Sequence, residues 1–422
     1  MKPSGTPGTI GTHRSLLKDY AMNSGPTNSG EESGAPAAAR IAPSPGLYVH
    51  IPFCTVRCSY CDFHVASWRE AIVHRYVDAL LAELRLLEAE GFRPKTIFIG
   101  GGTPSTLPTS RWEELLGALA DAFGGGLIEW TIEANPGTID EEKARIARRW
   151  GVDRISTGAQ TFDPDGLKVL GREHGPSVVE GAHALLREAG FTRLSLDLII
   201  GWPGQTIASI ERDLAQVARI DPDHLSLYHL SYETGTALER RRELGRVTPL
   251  EDDDVIAIAR RALGGLRDAG YTRYEVSNLC RPGEESLHNL NYWQRGTYRG
   301  IGSGAASFDG LRRFKNRPDV GAYLRAQGCP ERVEVEEIGR QTALEELVFL
   351  SLRLSVGIDL SEFREQTGHA LTEVCRDSLA ELLEERLVEL DSTHLRATEL
   401  GFEVLDTVIV RLWEDCQRIA RI

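Results

Sequence analysis

An α/β fold built on a parallel sheet, followed by a small winged-helix-like unit, is the fold class that the sequence predicts. Three observations predict it. Short β-type runs alternate with helical patterns from Leu47 onward. Nearly every run ends in polar or glycine-rich residues, and the last stretch, 336–422, changes to helices followed by a hairpin pattern.

The runs are LYVHIPF (47–53), TIFIGG (96–101), WTIEANP (130–136), RISTGAQTF (154–162), LSLDLIIGWPG (194–204) and HLSLYHLSYE (224–233). After the first, Val73, Val77, Leu80, Leu81, Leu84 and Leu87 recur at helical spacing, and Gly91 is placed to end that helix. Strand–helix alternation makes the sheet parallel, and polar strand ends collect the chemistry at one edge. A (β/α) barrel places its active site there. An open doubly wound sheet uses the same edge, so the pattern alone leaves both open. A looser stretch covers roughly 275–335. It precedes helical patterns in EELVFLSLRL, SEFREQTG and TEVCRDSLAELLEERL, the hairpin pattern LVELDSTHLRAT and a last helix. The expected organisation is a tail over 1–45, a catalytic-type barrel over 46–310, a linker over 311–335 and a C-terminal domain over 336–422.

Composition bounds the function. The tail is rich in Gly, Pro, Ser, Thr and Ala and cannot bury enough apolar surface to fold, so it is expected to be disordered. Lys plus Arg number 48 against 62 Asp plus Glu, a net charge of -14, which argues against affinity for nucleic acid or anionic lipid. Winged-helix units often bind DNA, but residues 336–422 hold nine Arg, no Lys and nineteen acids, which favours packing or protein interaction. A secretory pattern and an apolar run of about 18 residues are both missing, so no integral membrane segment is expected and the default address is the cytoplasm.

Three of the seven cysteines, Cys54, Cys58 and Cys61, fall within HIPFCTVRCSYCDFHV, directly after the first strand. This spacing suits zinc completed by His50 or His64, or an iron–sulfur cluster that keeps one iron open. Fortuitous clustering is the bland alternative. Further along, GGGTPS (100–105) offers exposed backbone N–H groups. Glu133, Gln160 and Asp197 sit near strand ends, where acceptors suit a ribose diol or an ammonium group. Arg172 can meet a carboxylate with two parallel hydrogen bonds.

Taken together, these motifs resemble the radical S-adenosylmethionine (SAM) superfamily. The resemblance implies a [4Fe–4S] cluster on Cys54, Cys58 and Cys61, with SAM on its open iron. YVHIPFC, GGGTPS, IEANP, GAQTF, DLIIGWPGQT and LSLYHLSYETGT narrow it to the oxygen-independent coproporphyrinogen III oxidase group. That group implies an incomplete (β/α)6 barrel with a small helical domain. By position, it places Tyr48, Tyr60, Gly101 and Glu133 around a first SAM. Gly102, Thr103, Gln160, Arg172, Asp197 and Ser231 fall around a second.

Two features depart from the oxidases. They carry another cysteine two residues past the third, where this chain has Phe63, and they have an ordered N-terminal extension. Both departures resemble the HemW-type haem chaperones, which deliver haem to acceptor proteins. HNLNYW (288–293) matches that group's HNxxYW signature, which implies a haem role for His288; on chemistry alone, a hydrogen-bonded loop histidine competes with that role. Ala306 stands in GIGSGAASF where relatives often carry a histidine. The expectation is a haem chaperone with haem as cargo, an acceptor haemoprotein and a reductant for the cluster. Oxidation of coproporphyrinogen III is the alternative that Phe63 disfavours, and SAM cleavage is left open.

Overall fold

The computed structural model describes residues 44–419. The expected tail, up to residue 43, lies outside them. The chain forms β1 (Gly46–Ile51), β2 (Phe53–Cys54), β3 (Ala66–Ser67), β4 (Thr96–Gly101), β5 (Glu129–Ala134), β6 (Arg154–Gln160), β7 (Arg193–Ile200) and β8 (His224–His229). It continues through β9 (Thr272–Arg273), β10 (Asn278–Cys280), β11 (Tyr298–Ile301), β12 (Ala306–Phe308), β13 (Arg312–Asn316) and β14 (Arg332–Glu337). One twelve-stranded sheet runs β14-β13-β12-β11-β1-β4-β5-β6-β7-β8-β10-β9. Its centre, β1 to β8, is parallel throughout, as the strand–helix alternation requires. β11 joins β1 in parallel, whereas β10 returns antiparallel beside β8, so the barrel is incomplete.

A period of two sorts the side chains of each central strand. In β1, Leu47, Val49 and Ile51 pack outward with Val73, Val77 and Leu80 of the helix Glu70–Ala89. Between them Tyr48 and His50 point to the other face, where the Tyr48 hydroxyl meets His50 Nδ1 at 2.8 Å. The same alternation sends Ile97, Ile99, Trp130 and Ile132 to the helices, leaving Thr96, Phe98, Glu129 and Glu133 inside. The interior is therefore polar and aromatic rather than aliphatic, with its hydrogen bonds supplied by neighbouring strands.

The stretch read as loose extends the sheet instead. β11 to β13 are strands of three to five residues, and 311–335, expected as a linker, carries β13 and the helix Val320–Ala326. Too short for a visible hydrophobic period, they depend on β1 as a template.

Beyond β14, helices Arg340–Ser351, Leu360–Thr367 and Arg376–Glu384 pack with Leu405–Ile419 around their own core, which includes Val348, Phe363, Leu382 and Leu412. A small sheet of β15 (Ile358–Asp359), β17 (His394–Ala397) and β16 (Val388–Leu390) completes a winged-helix-like domain. This domain docks on the barrel through a Glu275–Leu354 bridge and a bidentate Arg260–Glu403 pair.

Glu275 is fully buried at that junction, and burial pushes its carboxyl up to about 7, against the Ser277 N–H that favours the anion. A raised acid favours folding in its neutral form. Its contribution is full below the ordinary value of 4.5 and is lost as pH rises through about 7. Glu275→Gln should therefore flatten the fall in melting temperature over that window; parallel profiles for the two proteins would contradict this.

Candidate functional site

The cysteine loop grows from the end of β1 and is pinned on both sides. Thr103 N–H and Gly102 N–H donate to the carbonyls of Phe53 and Ile51, at 2.8 Å each, locking the GGGT turn to the start of the loop. Ser59 N–H donates to the Leu170 carbonyl at 3.1 Å, and Ser59 Oγ donates to that of Val169 at 2.7 Å. Arg57 reaches the Cys61 carbonyl at 3.1 Å. Beneath the loop, His50 Nε2 meets the His64 carbonyl at 2.9 Å, and His64 Nε2 meets Ser303 Oγ at 3.0 Å.

Cys54, Cys58 and Cys61 line one cavity of about 700 Å³ at the C-terminal ends of the strands. Tyr60, Gly101, Gly102, Thr103, Glu133, Gln160, Arg172, Asp197 and Ser231 line it too. Burial pushes the Cys54 and Cys61 thiols up, so a bound cation is needed to hold them as thiolates. Among the described residues no three His, Cys, Asp or Glu side chains are grouped tightly enough for a single metal ion. Of the two histidines considered for completing a zinc site, His50 has both nitrogens engaged and His64 has one. Three thiols spread over one loop suit a larger cluster better.

Opposite the thiols the cavity wall is acidic. The Gly101 N–H donates to Glu133 Oε2 at 3.1 Å, while burial, then the nearby Asp197 charge, pushes the Glu133 carboxyl up to about 7. Burial also raises Asp197, which accepts from Ser156 Oγ at 3.1 Å. Two crowded carboxylates favour a ligand carrying ammonium or hydroxyl donors. Arg172 lies between wall and thiols: its Nη1 is 3.3 Å from Cys58 Sγ, its Nη2 donates to the Gly158 carbonyl, and its buried Nε has no partner. An unpartnered buried guanidinium nitrogen beside a cavity fits a ligand carboxylate.

Glycines shape this wall. A Cβ on Gly101 would lie 2.3 Å from the His50 ring, and one on Gly158 would lie 2.5 Å from the Gln160 amide and 3.3 Å from Arg172 Nη2. The sequence reading missed Gly158, although a glycine inside a strand pattern is itself a signal of close approach. It also missed His50 as a brace under the cysteine loop. At Gly102 the obstruction is backbone, Pro52 C at 2.7 Å and Phe53 O at 2.8 Å. Gly102→Ala should cost about 1–3 kcal/mol in stability, read from the urea midpoint. An unchanged midpoint would contradict the tight packing.

Two expected residues lie elsewhere. Tyr48 sits a layer below the cavity, bonded to His50 and stacked on Phe98. His288 is farther still, at the N-terminal ends of the strands. Its Nδ1 meets Thr96 Oγ1 at 2.8 Å, its Nε2 meets the Tyr292 hydroxyl at 2.8 Å, and Phe98 stacks on its ring. Both nitrogens are engaged, the side chain is buried, and burial pushes the imidazole down to about 4. The haem role implied for His288 would require one of these two hydrogen bonds to open. Glu129 holds the start of its helix, Leu287–Trp293, by accepting from the Leu287 and His288 N–H groups at 3.0 and 2.9 Å.

Comparison with known proteins gives a consistent set of matches. A profile described as the radical SAM superfamily matches residues 48–217, and one described as the HemN C-terminal domain matches 338–404. The chain is 34% identical over 369 residues to a Lactococcus lactis protein named haem chaperone HemW, covering 87% of this chain and 97% of that one. It is 36% identical over 358 residues to the Escherichia coli protein of the same name, covering 82% and 91%. In fold it is similar to E. coli coproporphyrinogen III oxidase (HemN), with TM-score 0.76, 24% identity, and coverage of 89% and 92%.

Proposed function

The chain belongs to the radical SAM superfamily and, within it, to the HemW family, and on that premise we propose that it is a haem chaperone. Family membership implies a [4Fe–4S] cluster and SAM. In this reading Cys54, Cys58 and Cys61 hold three irons. Arg172, with its free Nε, would take the carboxylate of the second SAM beside Gln160, Asp197 and Ser231, while Glu133 would accept from the first. When bound, the pair supplies one-electron chemistry at the sulfonium. The chain's own part is to fix the thiols, neutralise the carboxylate and keep the ligand out of water.

The observation that carries the proposal is the family match over nearly the whole chain, joined to Phe63 in the cavity wall where the oxidases carry their extra cysteine. Haem is cargo, an acceptor haemoprotein is the destination and an external reductant serves the cluster. Among the described residues no helix is long and apolar enough to cross a membrane.

Anaerobic reconstitution with iron and sulfide, followed by haem titration and transfer to an apo-haemoprotein, tests the reading. Stoichiometric binding and transfer are expected. Binding no tighter than to an unrelated carrier protein would sink it. The same sample incubated with SAM, reductant and coproporphyrinogen III should form no protoporphyrinogen; product would reassign the chain to oxidase chemistry.

A further inference from the structure

Hydrogen bonds to the sulfurs of an iron–sulfur cluster help to set its reduction potential. A donor stabilises the negative charge that an added electron spreads onto a thiolate, so each one makes the cluster easier to reduce. The cysteine loop is supplied with such donors from other parts of the chain. Arg172 Nη1 donates to Cys58 Sγ at 3.3 Å. Thr103 Oγ1 lies 3.6 Å from Cys54 Sγ, and against a thiolate the hydroxyl is the donor. Cys61 takes the backbone N–H of Phe63 instead. The three sulfurs therefore differ: one meets a charged donor, one a hydroxyl and one a peptide group. Charge-assisted hydrogen bonds are roughly twice as strong as neutral ones, so the Cys58 contact is the strongest of the three.

Both side-chain donors are fixed by backbone. The helix Pro164–Leu170 ends at Gly171, whose φ of 70° turns the chain back, and the Arg172 N–H closes that turn on the Leu167 carbonyl at 2.8 Å. A Cβ on Gly171 would lie 3.1 Å from Ser59 N, so the missing side chain lets the turn press against the residue that follows Cys58. At the far end of the side chain, Arg172 Nη2 is tied to the Gly158 carbonyl. Thr103 is held in the same way, its N–H on the Phe53 carbonyl one residue before Cys54. Each donor thus moves with the segment that carries its sulfur.

We propose that Arg172 and Thr103 set the reduction potential of the cluster by hydrogen-bonding the Cys58 and Cys54 thiolates, Arg172 having the larger effect. The proposal rests on the cofactor reading above and adds to it a role that needs no bound SAM. Both are positioning residues here, acting on iron through a sulfur. Their effect is to bring the cluster within reach of a weaker external reductant.

The test is a redox titration of the reconstituted full chain without SAM. Dithionite supplies one electron per cluster, and electron paramagnetic resonance counts the reduced form. Arg172→Gln should lower the ratio of reduced to oxidised cluster at a fixed potential about tenfold, a fall of about 59 mV for a one-electron couple. Thr103→Val, which removes the hydroxyl and keeps the shape, should lower that ratio about threefold. Iron–thiolate stretching frequencies in resonance Raman should rise in both variants, because a thiolate that loses its donor binds iron more tightly. Iron and sulfide at wild-type stoichiometry confine these changes to the sulfur contacts. Should Arg172→Gln shed iron, Thr103→Val decides with the same two directions. A wild-type midpoint in the iron-loaded variants overturns the proposal and leaves the cluster in place. A lower midpoint with unmoved stretching frequencies overturns it too, assigning the effect to charge alone. A wild-type chain that takes up no cluster overturns the cofactor reading itself.

Discussion

Cys58→Ala is expected to leave the reconstituted protein without its cluster, with iron and sulfide at the level of a mock reconstitution. Two thiolates on a loop cannot anchor a cluster whose fourth iron must stay open, and no other cysteine lines the cavity to substitute. The loss reaches further than one ligand, because Cys58 Sγ sits 3.3 Å from Arg172 Nη1 and helps to orient it. SAM affinity should fall with the metal. Cys58 is half-buried on a loop, so the melting temperature of the metal-free protein should stay near that of metal-free wild type. Iron retained at wild-type stoichiometry would mean that the cluster sits elsewhere.

Glu129→Ala is expected to produce the largest loss of stability, about 3–5 kcal/mol, because it strands a buried guanidinium. Glu129 and Arg154 are both essentially inaccessible and 3.3 Å apart, and Arg193 approaches the same carboxylate at 3.5 Å. The carboxylate also accepts from Ser286 Oγ and the Leu287 and His288 N–H groups, so its removal loosens the HNLNYW helix as well. Urea unfolding should show a lower midpoint. A haem signal lost in His288→Ala at unchanged stability would support the ligand role implied for that histidine.

The central strands were legible because each is a short β-type run with a polar or glycine-rich end. TIFIGG matches β4 residue for residue, and RISTGAQTF starts with β6 at Arg154. The hairpin in LVELDSTHLRAT is also present as β16 and β17. β11 to β13 were not legible: RRFKN has no apolar face of its own and becomes a strand only beside its neighbours. Most of the candidate cavity could be read because its residues fall at strand ends, where a parallel fold gathers them. The position of His288 was not legible because a motif names residue types and not which end of a strand they meet. Thr96 and Glu129 begin their strands, whereas Gly101 and Glu133 stand at or near the ends of the same two. One strand length separates the HNLNYW helix from the cysteine cavity. Phe63 shows the converse, since its departure from the oxidase pattern was visible but its exposure at the mouth was not.

The HNLNYW helix also has a consequence for how the chain reaches its native state. Thr96 and His288 are 192 residues apart, and Ser44, whose N–H donates to the Asn291 side chain at 2.9 Å, is 247 residues from its partner. During synthesis the thiol-bearing loop emerges among the first folded segments, while the base of the barrel can close only after residue 293 has left the ribosome. Contacts of such separation are slow to form. Until they do, the strands have no cap at their N-terminal ends, and the nascent chain depends on protection from aggregation.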